Sequence, residues 1–327
     1  MKKIIYVFVR VICVLVLIMV TLYLVLVTPY LFSLVKEKVM PKKHILTSGN
    51  IIYVGNRYYD FTLYNLDLAS NKGKGPKGRE EFYVIKGGGS GSPETISKMD
   101  SENLLLDVYN NANHKIYRFN IKTKKMTYLR EGSHPVYMPA HKKLLFLLNQ
   151  GWNYNGERAR GLFVADMDDL TKTKFIMETE TQFNLIIPIS DSEVIFQGER
   201  GYDWFIYDVK ANKVKPLPIK DFYPHLWRDK TKQLLGRSKG RKKIYLISLD
   251  GKRVEKTSLL DYPIIYIPEK DAVIFIKRSR HLGIRAMICY DLYVYDFTTG
   301  KSELLNNGRE NGFDLEKGVF VQYVPNG

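Results

Sequence analysis

One hydrophobic hexamer recurs six times along the 327-residue chain, and it constrains the fold more than any other feature. Its copies are Leu63–Leu68, Ile116–Ile121, Leu162–Met167, Trp204–Val209, Ile244–Leu249 and Leu292–Phe297. Each has an aromatic residue near its start and a short polar side chain in fifth place. From Asp67 to Asp296 the five intervals average about 46 residues. Self-similarity at such a period, carried by strands, marks a repeat architecture in which neighbouring units bury one continuous core. The recurring polar position (Asp67, Asn120, Asp166, Asp208, Ser248, Asp296) is expected to serve the unit itself, by bonding nearby turn or strand backbone. Function is expected where the units differ.

The first 43 residues stand apart. Between Ile4 and Val35 only Arg10 is charged, which predicts one membrane-spanning helix over about residues 11–32. The reading adopted is an uncleaved anchor followed by a basic linker to residue 43, with the β domain over 44–327. A cleaved signal peptide competes with it, but Tyr30–Leu34 offers no small-residue cleavage site. Lys2, Lys3 and Arg10 before the span nearly balance Lys36, Lys38, Lys42 and Lys43 after it. The very short N-terminal tail favours export of the large domain. Cys13 and Cys289 are badly placed to pair, and no asparagine heads an Asn-x-Ser/Thr acceptor. A bacterial inner-membrane protein with its domain outside the cytoplasm fits these features.

After residue 44, strand-like runs alternate with turn clusters, four candidate strands to a unit. In the fourth unit they are Leu185–Pro188, Val194–Gln197, Phe205–Val209 and Val214–Leu217. Hydrophobic residues make up 45% of the chain and aromatics 13%, ample for a folded core. Four-stranded repeating units predict an all-β propeller, six blades preferred because the hexamer appears six times. The stretch Phe313–Val324 is expected either to close the ring on the first blade or to begin a seventh.

Pro135-Val136-Tyr137-Met138-Pro139, followed by Lys142-Lys143-Leu144-Leu145-Phe146, resembles the Pro-x-Trp-Ser-Pro-Asp-Gly-Lys opening of TolB-like, WD40-like propeller blades. Pro224–Trp227 and Pro263–Pro268 are similar, each with one extra residue, and the Tyr-x-x-Asp third strand fits the same family. No copy keeps the Ser-Pro-Asp-Gly core. The resemblance implies a six-bladed propeller outside the cytoplasmic membrane that serves as a protein-interaction platform.

In a four-stranded blade, the connections between second and third strands share one face with the links between blades. Those connections are rich in cations, within a chain of net charge +16. The candidate binding residues are Trp152, Tyr154, Arg158, Arg160, Arg237, Lys239, Arg241, Lys277, Arg278 and Arg280. One-sided positive charge attracts anionic partners, and Arg chelates carboxylate or phosphate. An anionic protein, peptide or glycan is the expected partner; nucleic acid is not, since no recognition motif is present.

Enzyme signals are poor. Gly73–Gly78 satisfies Gly-x-Gly-x-x-Gly, yet it contains Pro and leads into a strand, so the helix of a dinucleotide site is missing. The six histidines (His44, His114, His134, His141, His225, His281) show no metal-ligand spacing, so neither cofactor nor metal is expected. His134 and His225 flank blade-opening prolines. A binding module is the leading reading. The alternative is a hydrolase or lyase at the channel mouth, which requires two or three His, Asp or Glu side chains converging there with perturbed pKa values.

Overall fold

The computed structural model describes residues 45, 46, 48, 50–57, 60–67, 79–85, 92–110, 113–148, 161–179, 185–198, 203–238, 244–252, 254–257, 259, 262–282, 288–306 and 321–324, together with 19 and 21. Residues Met1–His44 and Ile45–Gly327 form two compact units. Met19 and Thr21 are helical. The rest of the span expected over 11–32, and the linker after it, lie outside the described residues. Among the described residues no helix is long and apolar enough to cross a membrane.

All the described strands lie in the second unit. The first are β1 (Asn50–Arg57), β2 (Asp60–Asp67) and β3 (Arg79–Ile85). Next come β4 (Ser92–Lys98), β5 (Asn103–Asn110), β6 (Asn113–Asn120) and β7 (Met126–Glu131). They are followed by β8 (Ser133–Met138), β9 (Lys143–Leu148), β10 (Gly161–Asp166) and β11 (Thr173–Glu178). The next four are β12 (Ile186–Pro188), β13 (Glu193–Gln197), β14 (Trp204–Asp208) and β15 (Lys213–Pro216). Then come β16 (Phe222–Arg228), β17 (Gln233–Ser238), β18 (Ile244–Ser248) and β19 (Val254–Lys256). The last are β20 (Tyr262–Ile267), β21 (Ala272–Leu282), β22 (Ile288–Asp296), β23 (Lys301–Asn306) and, near the C-terminus, β24 (Val321–Val324).

These strands pair into four-stranded antiparallel sheets. Five sheets use four consecutive strands each, and another joins β24 to β1, β2 and β3. The recurring hexamer supplies the third strand every time: β2, β6, β10, β14, β18 and β22. In three copies its polar residue bonds the turn backbone as expected. Asn120 Oδ1 accepts from the Thr123 amide at 2.8 Å, Asp208 Oδ1 from Ala211 at 2.9 Å, and Asp296 Oδ1 from Thr298 at 2.7 Å.

The core sits between sheets, in clusters that run around a ring. Ile52 and Leu63 pack with Leu104, Leu106 and Phe119; Leu105 and Ile116 pack with Leu144 and Phe146. Leu145 and Leu162 meet Val194 and Phe196, and Ile195 and Ile206 meet Leu234 and Ile247. Leu235 and Leu246 meet Val273 and Phe275, and Ile274 and Val294 return to Ile51. Each sheet therefore buries both faces, which is why its strands read as runs of apolar residues rather than as alternation. The arrangement is a β-propeller.

The innermost strands β4, β8, β12, β16, β20 and β24 neighbour one another in a closed cycle. Their turns into the second strands share a device. A 3-10 turn follows β8, β16 and β20, and the residue after it (Lys142, Lys232, Asp271) takes left-handed backbone with φ of 51°, 52° and 46°. Glycine is the usual occupant of that region, so three non-glycine residues there each carry a small local cost.

The ring closes through β24, whose residues Val321–Val324 pair with Tyr53–Asn50 of β1. Deleting residues 321–327 removes those ladder bonds and leaves β1 as a bare edge. Stability is expected to fall by about 3 kcal/mol, at roughly 1 kcal/mol per lost hydrogen bond. Urea unfolding measures this, and an unchanged midpoint would show that closure does not depend on β24.

Candidate functional site

A cavity of about 450 Å³ lies among the innermost strands. Its wall is formed by Thr95–Lys98 of β4, His134–Tyr137 of β8, Leu185–Pro188 at β12, His225–Trp227 of β16 and Ile264–Tyr266 of β20, with Asp229 and Pro268 beyond. Each innermost strand is also a sheet edge, so one side of its backbone is not used by its own ladder. The cavity is thus bounded by strand edges as well as side chains.

Register explains which side chains reach it. Lys98, Tyr137, Pro188, Trp227 and Tyr266 are opposite Leu104, Leu144, Val194, Leu234 and Val273. Each of those partners is the second residue of its strand, so the five wall residues stand at one level of the ring. Three of the five are aromatic, near the turns into the second strands, and Tyr137 and Trp227 also pack against the flanking cores.

The other end is polar, and bulges shape it. The ladder slips between Pro93 and Thr95 in β4, between Ser133 and Val136 in β8, between Pro224 and Leu226 in β16 and between Pro263 and Ile265 in β20. A bulge leaves one residue unpaired and re-aims its side chain. His225 occupies the slip in β16, and His134 with Pro135 occupies it in β8. Gly236 accommodates the β16 bulge, since a Cβ there would stand 2.1 Å from the Tyr223 carbonyl oxygen. His134 adopts φ 51°, unusual for a residue with a side chain.

Behind His134 is a fully buried carboxylate, Asp107, 0% exposed. Its Oδ1 lies 2.9 Å from His114 Nδ1, and its Oδ2 accepts from the His134 amide at 3.1 Å. Burial pulls the His134 pKa down; Asp107 opposes that shift and His114 adds to it. Burial, then the Arg237 charge, brings His225 down to about 4. Both cavity imidazoles are neutral at pH 7.

A second polar group joins neighbouring sheets at the aromatic end. Arg228 grips Asp271 through two bonds of 2.8 and 2.7 Å, and Tyr266 donates to Asp271 Oδ1 at 3.1 Å. Lys230 Nζ is 3.2 Å from Asp271 Oδ2, and the Arg228 guanidinium lies 4.1 Å above the Phe297 ring. Burial would raise the Asp271 pKa, but hydrogen bonds from Arg228 and Lys230 and the Arg228 charge outweigh it and lower it. Burial and the Asp271 charge push Tyr266 up to about 12.

Of the sequence-based candidates, Trp152, Tyr154, Arg158, Arg160, Lys239 and Arg241 lie outside the described residues. Arg237 is on β17 opposite Tyr223, close enough to bear on His225. Lys277 on β21 is exposed, with Nζ 5.9 Å above the Tyr293 ring. Arg278 and Arg280 fall within β21. Sequence reasoning missed Asp107, His134 and His225 as a group; the prolines beside the two histidines were the only local signal. No set of three or more His, Cys, Asp or Glu among the described residues is arranged to hold a metal.

No family model matches the sequence, and no curated protein does either. Solved structures do match. TolB from Acinetobacter baumannii superposes with a TM-score of 0.62 at 16% identity, over 86% of this chain and 67% of that one. A chain of a nidogen/laminin complex gives 0.55 at 11% identity, over 84% and 99%. The likeness is one of fold.

Asp271→Asn leaves the Arg228 charge buried with a neutral partner and is expected to cost about 3 kcal/mol in urea unfolding. A cost below 1 kcal/mol would show the pair to be replaceable. His225 and His134 bind protons more weakly folded than unfolded, so both lower stability as pH falls below 6.5, and for His225 the loss runs down to about 4. For His225 alone the loss reaches roughly 3 kcal/mol. His225→Gln should flatten melting temperature against pH over that window, and an equally steep profile would contradict the assignment.

Proposed function

We propose that the chain is a binding module, a six-bladed propeller tethered to a bacterial inner membrane by residues 11–32 and facing away from the cytoplasm. In this reading it takes an anionic protein, peptide or glycan at the end of the ring where the second-to-third-strand hairpins gather, with part of the partner entering the cavity. The cavity bounded by strand edges and three aromatic side chains is the observation that carries the reading. Strand edges hydrogen-bond an extended chain whatever its sequence, and side-chain pockets add selectivity. Tyr137, Trp227 and Tyr266 suit amphipathic contacts. Arg237 stands near the hairpin end of β17 and Lys277 midway along β21, and the cations of the connections that follow would steer a negative partner. Six blades are favoured by the cycle of six innermost strands and by the hexamer count. One of the structures sharing the fold is itself a protein–protein complex.

A second reading keeps one observation on its side. His134 and His225 line the cavity with depressed pKa values and Asp107 stands behind the first, as a hydrolase or lyase would require. It lacks an identified nucleophile or substrate.

Pull-down from envelope extracts separates the two. Retention of a partner should weaken at least tenfold between 50 and 500 mM salt, about the effect of losing several charge contacts. It should also weaken in an Arg237→Glu/Lys277→Glu variant and in a Trp227→Ala/Tyr266→Ala variant. Unchanged retention by both variants rules against the module. Turnover of an acidic polysaccharide that His134→Ala abolishes supports the enzyme instead.

A further inference from the structure

Two histidines from different sheets meet one buried carboxylate, and only one of them stands on the cavity wall. Asp107 belongs to β5, His114 to β6 of the same sheet and His134 to β8 of the next. The carboxylate is wholly enclosed, so each of its oxygens draws donors. Oδ1 faces His114 Nδ1, and Oδ2 faces both the His134 amide and, at 3.9 Å, His134 Nδ1. A carboxylate oxygen that already takes the His134 amide N–H acts there as an acceptor, so a ring nitrogen turned towards it is favoured with its proton on. Such a tautomer leaves the lone pair of His134 on Nε2.

The ring's exposure points the same way. His134 Nδ1 is buried and makes no hydrogen bond, whereas the side chain as a whole is 26% exposed. The exposed atoms of the side chain are therefore ones other than Nδ1, and the residue lines the cavity. The backbone maintains the pose at a cost. His134 combines left-handed φ with a ladder slip, and Asp107 Oδ2 ties down its amide. Strain of this sort persists only where surrounding contacts over-determine it, and it gathers at sites that hold ligands.

We propose that His134 is a ligand-binding residue of the cavity, its Nε2 accepting a hydrogen bond from a hydroxyl or amide N–H of the bound molecule. Asp107 is the positioning residue that sets its tautomer. This rests on the reading of the cavity as the ligand site. It assigns the two ends different chemistry: stacking against Tyr137, Trp227 and Tyr266, and donor recognition at His134.

Diethyl pyrocarbonate, which modifies a histidine only at an accessible unprotonated ring nitrogen, is the probe, applied to the full chain and mapped by peptide mass spectrometry. His134 is expected to react at pH 7 within about tenfold of N-acetylhistidine, and to lose less of its rate than the free compound as the pH falls below 6.5. Asp107→Asn should slow His134 about tenfold with His225 unchanged, and Asp107→Glu should recover part of the rate. A wild-type His134 that stays unmodified, or that reacts equally fast in Asp107→Asn, overturns the proposal. Should Asp107→Asn fail to fold, the wild-type pH series decides alone. If the Trp227→Ala/Tyr266→Ala variant retains partner normally, the cavity reading falls while these rates stand, so the two failures are separable.

Discussion

Burial of both faces of every sheet is the constraint on which the rest of the structure depends. A lone four-stranded sheet with Leu104 and Leu106 on one face and Leu105 on the other has two apolar surfaces to cover, and each neighbour covers only one. The requirement passes from sheet to sheet until Ile274 and Val294 meet Ile51. A ring satisfies it without an exposed apolar face, whereas an open stack would leave two. The same arrangement turns the innermost strands into edges around a central space. The cavity is thus a by-product of how the core is covered, and its wall has backbone polar groups before any side chain is chosen.

Within that wall, the ladder slips decide which side chains matter. A regular strand would send alternate residues into the two flanking cores. An unpaired residue escapes that choice, and in β8 and β16 the slip holds an imidazole, whereas in β20 it holds Ile264. Differences between equivalent positions, set on a common frame, are what a binding surface of this kind has to work with. The Arg228–Asp271–Tyr266 group has the opposite character. It is saturated with internal partners and joins adjacent sheets, so its perturbed pKa values reflect cohesion.

Much of the frame was legible in the sequence, because strands buried on both sides must be nearly continuous in apolar residues. Trp204–Tyr207 and Leu144–Leu147 carry that mark, and the polar fifth residue of the hexamer marks the turn that follows. The turn at Lys142, Lys232 and Asp271 was harder to see, since no glycine stands where the backbone turns left-handed. The place of Val321–Val324 was open for a different reason. Four residues read as a strand in any arrangement, and their partner is at the far end of the sequence. The Asp107–His134 contact was invisible to spacing rules, because the two come together only when consecutive sheets pack. Six of the ten cationic and aromatic candidates lie outside the described residues.

The pairing of Asn50 with Val324 has a consequence for biosynthesis. The sheet begun by the earliest strands cannot be completed until residues 321–324 have been synthesised. Entropy of closing so long a loop grows only logarithmically, so the delay is one of order rather than of free energy. During that interval β1 presents an unclaimed edge, and a nascent chain in that condition is open to capture by a chaperone or by a second copy of itself.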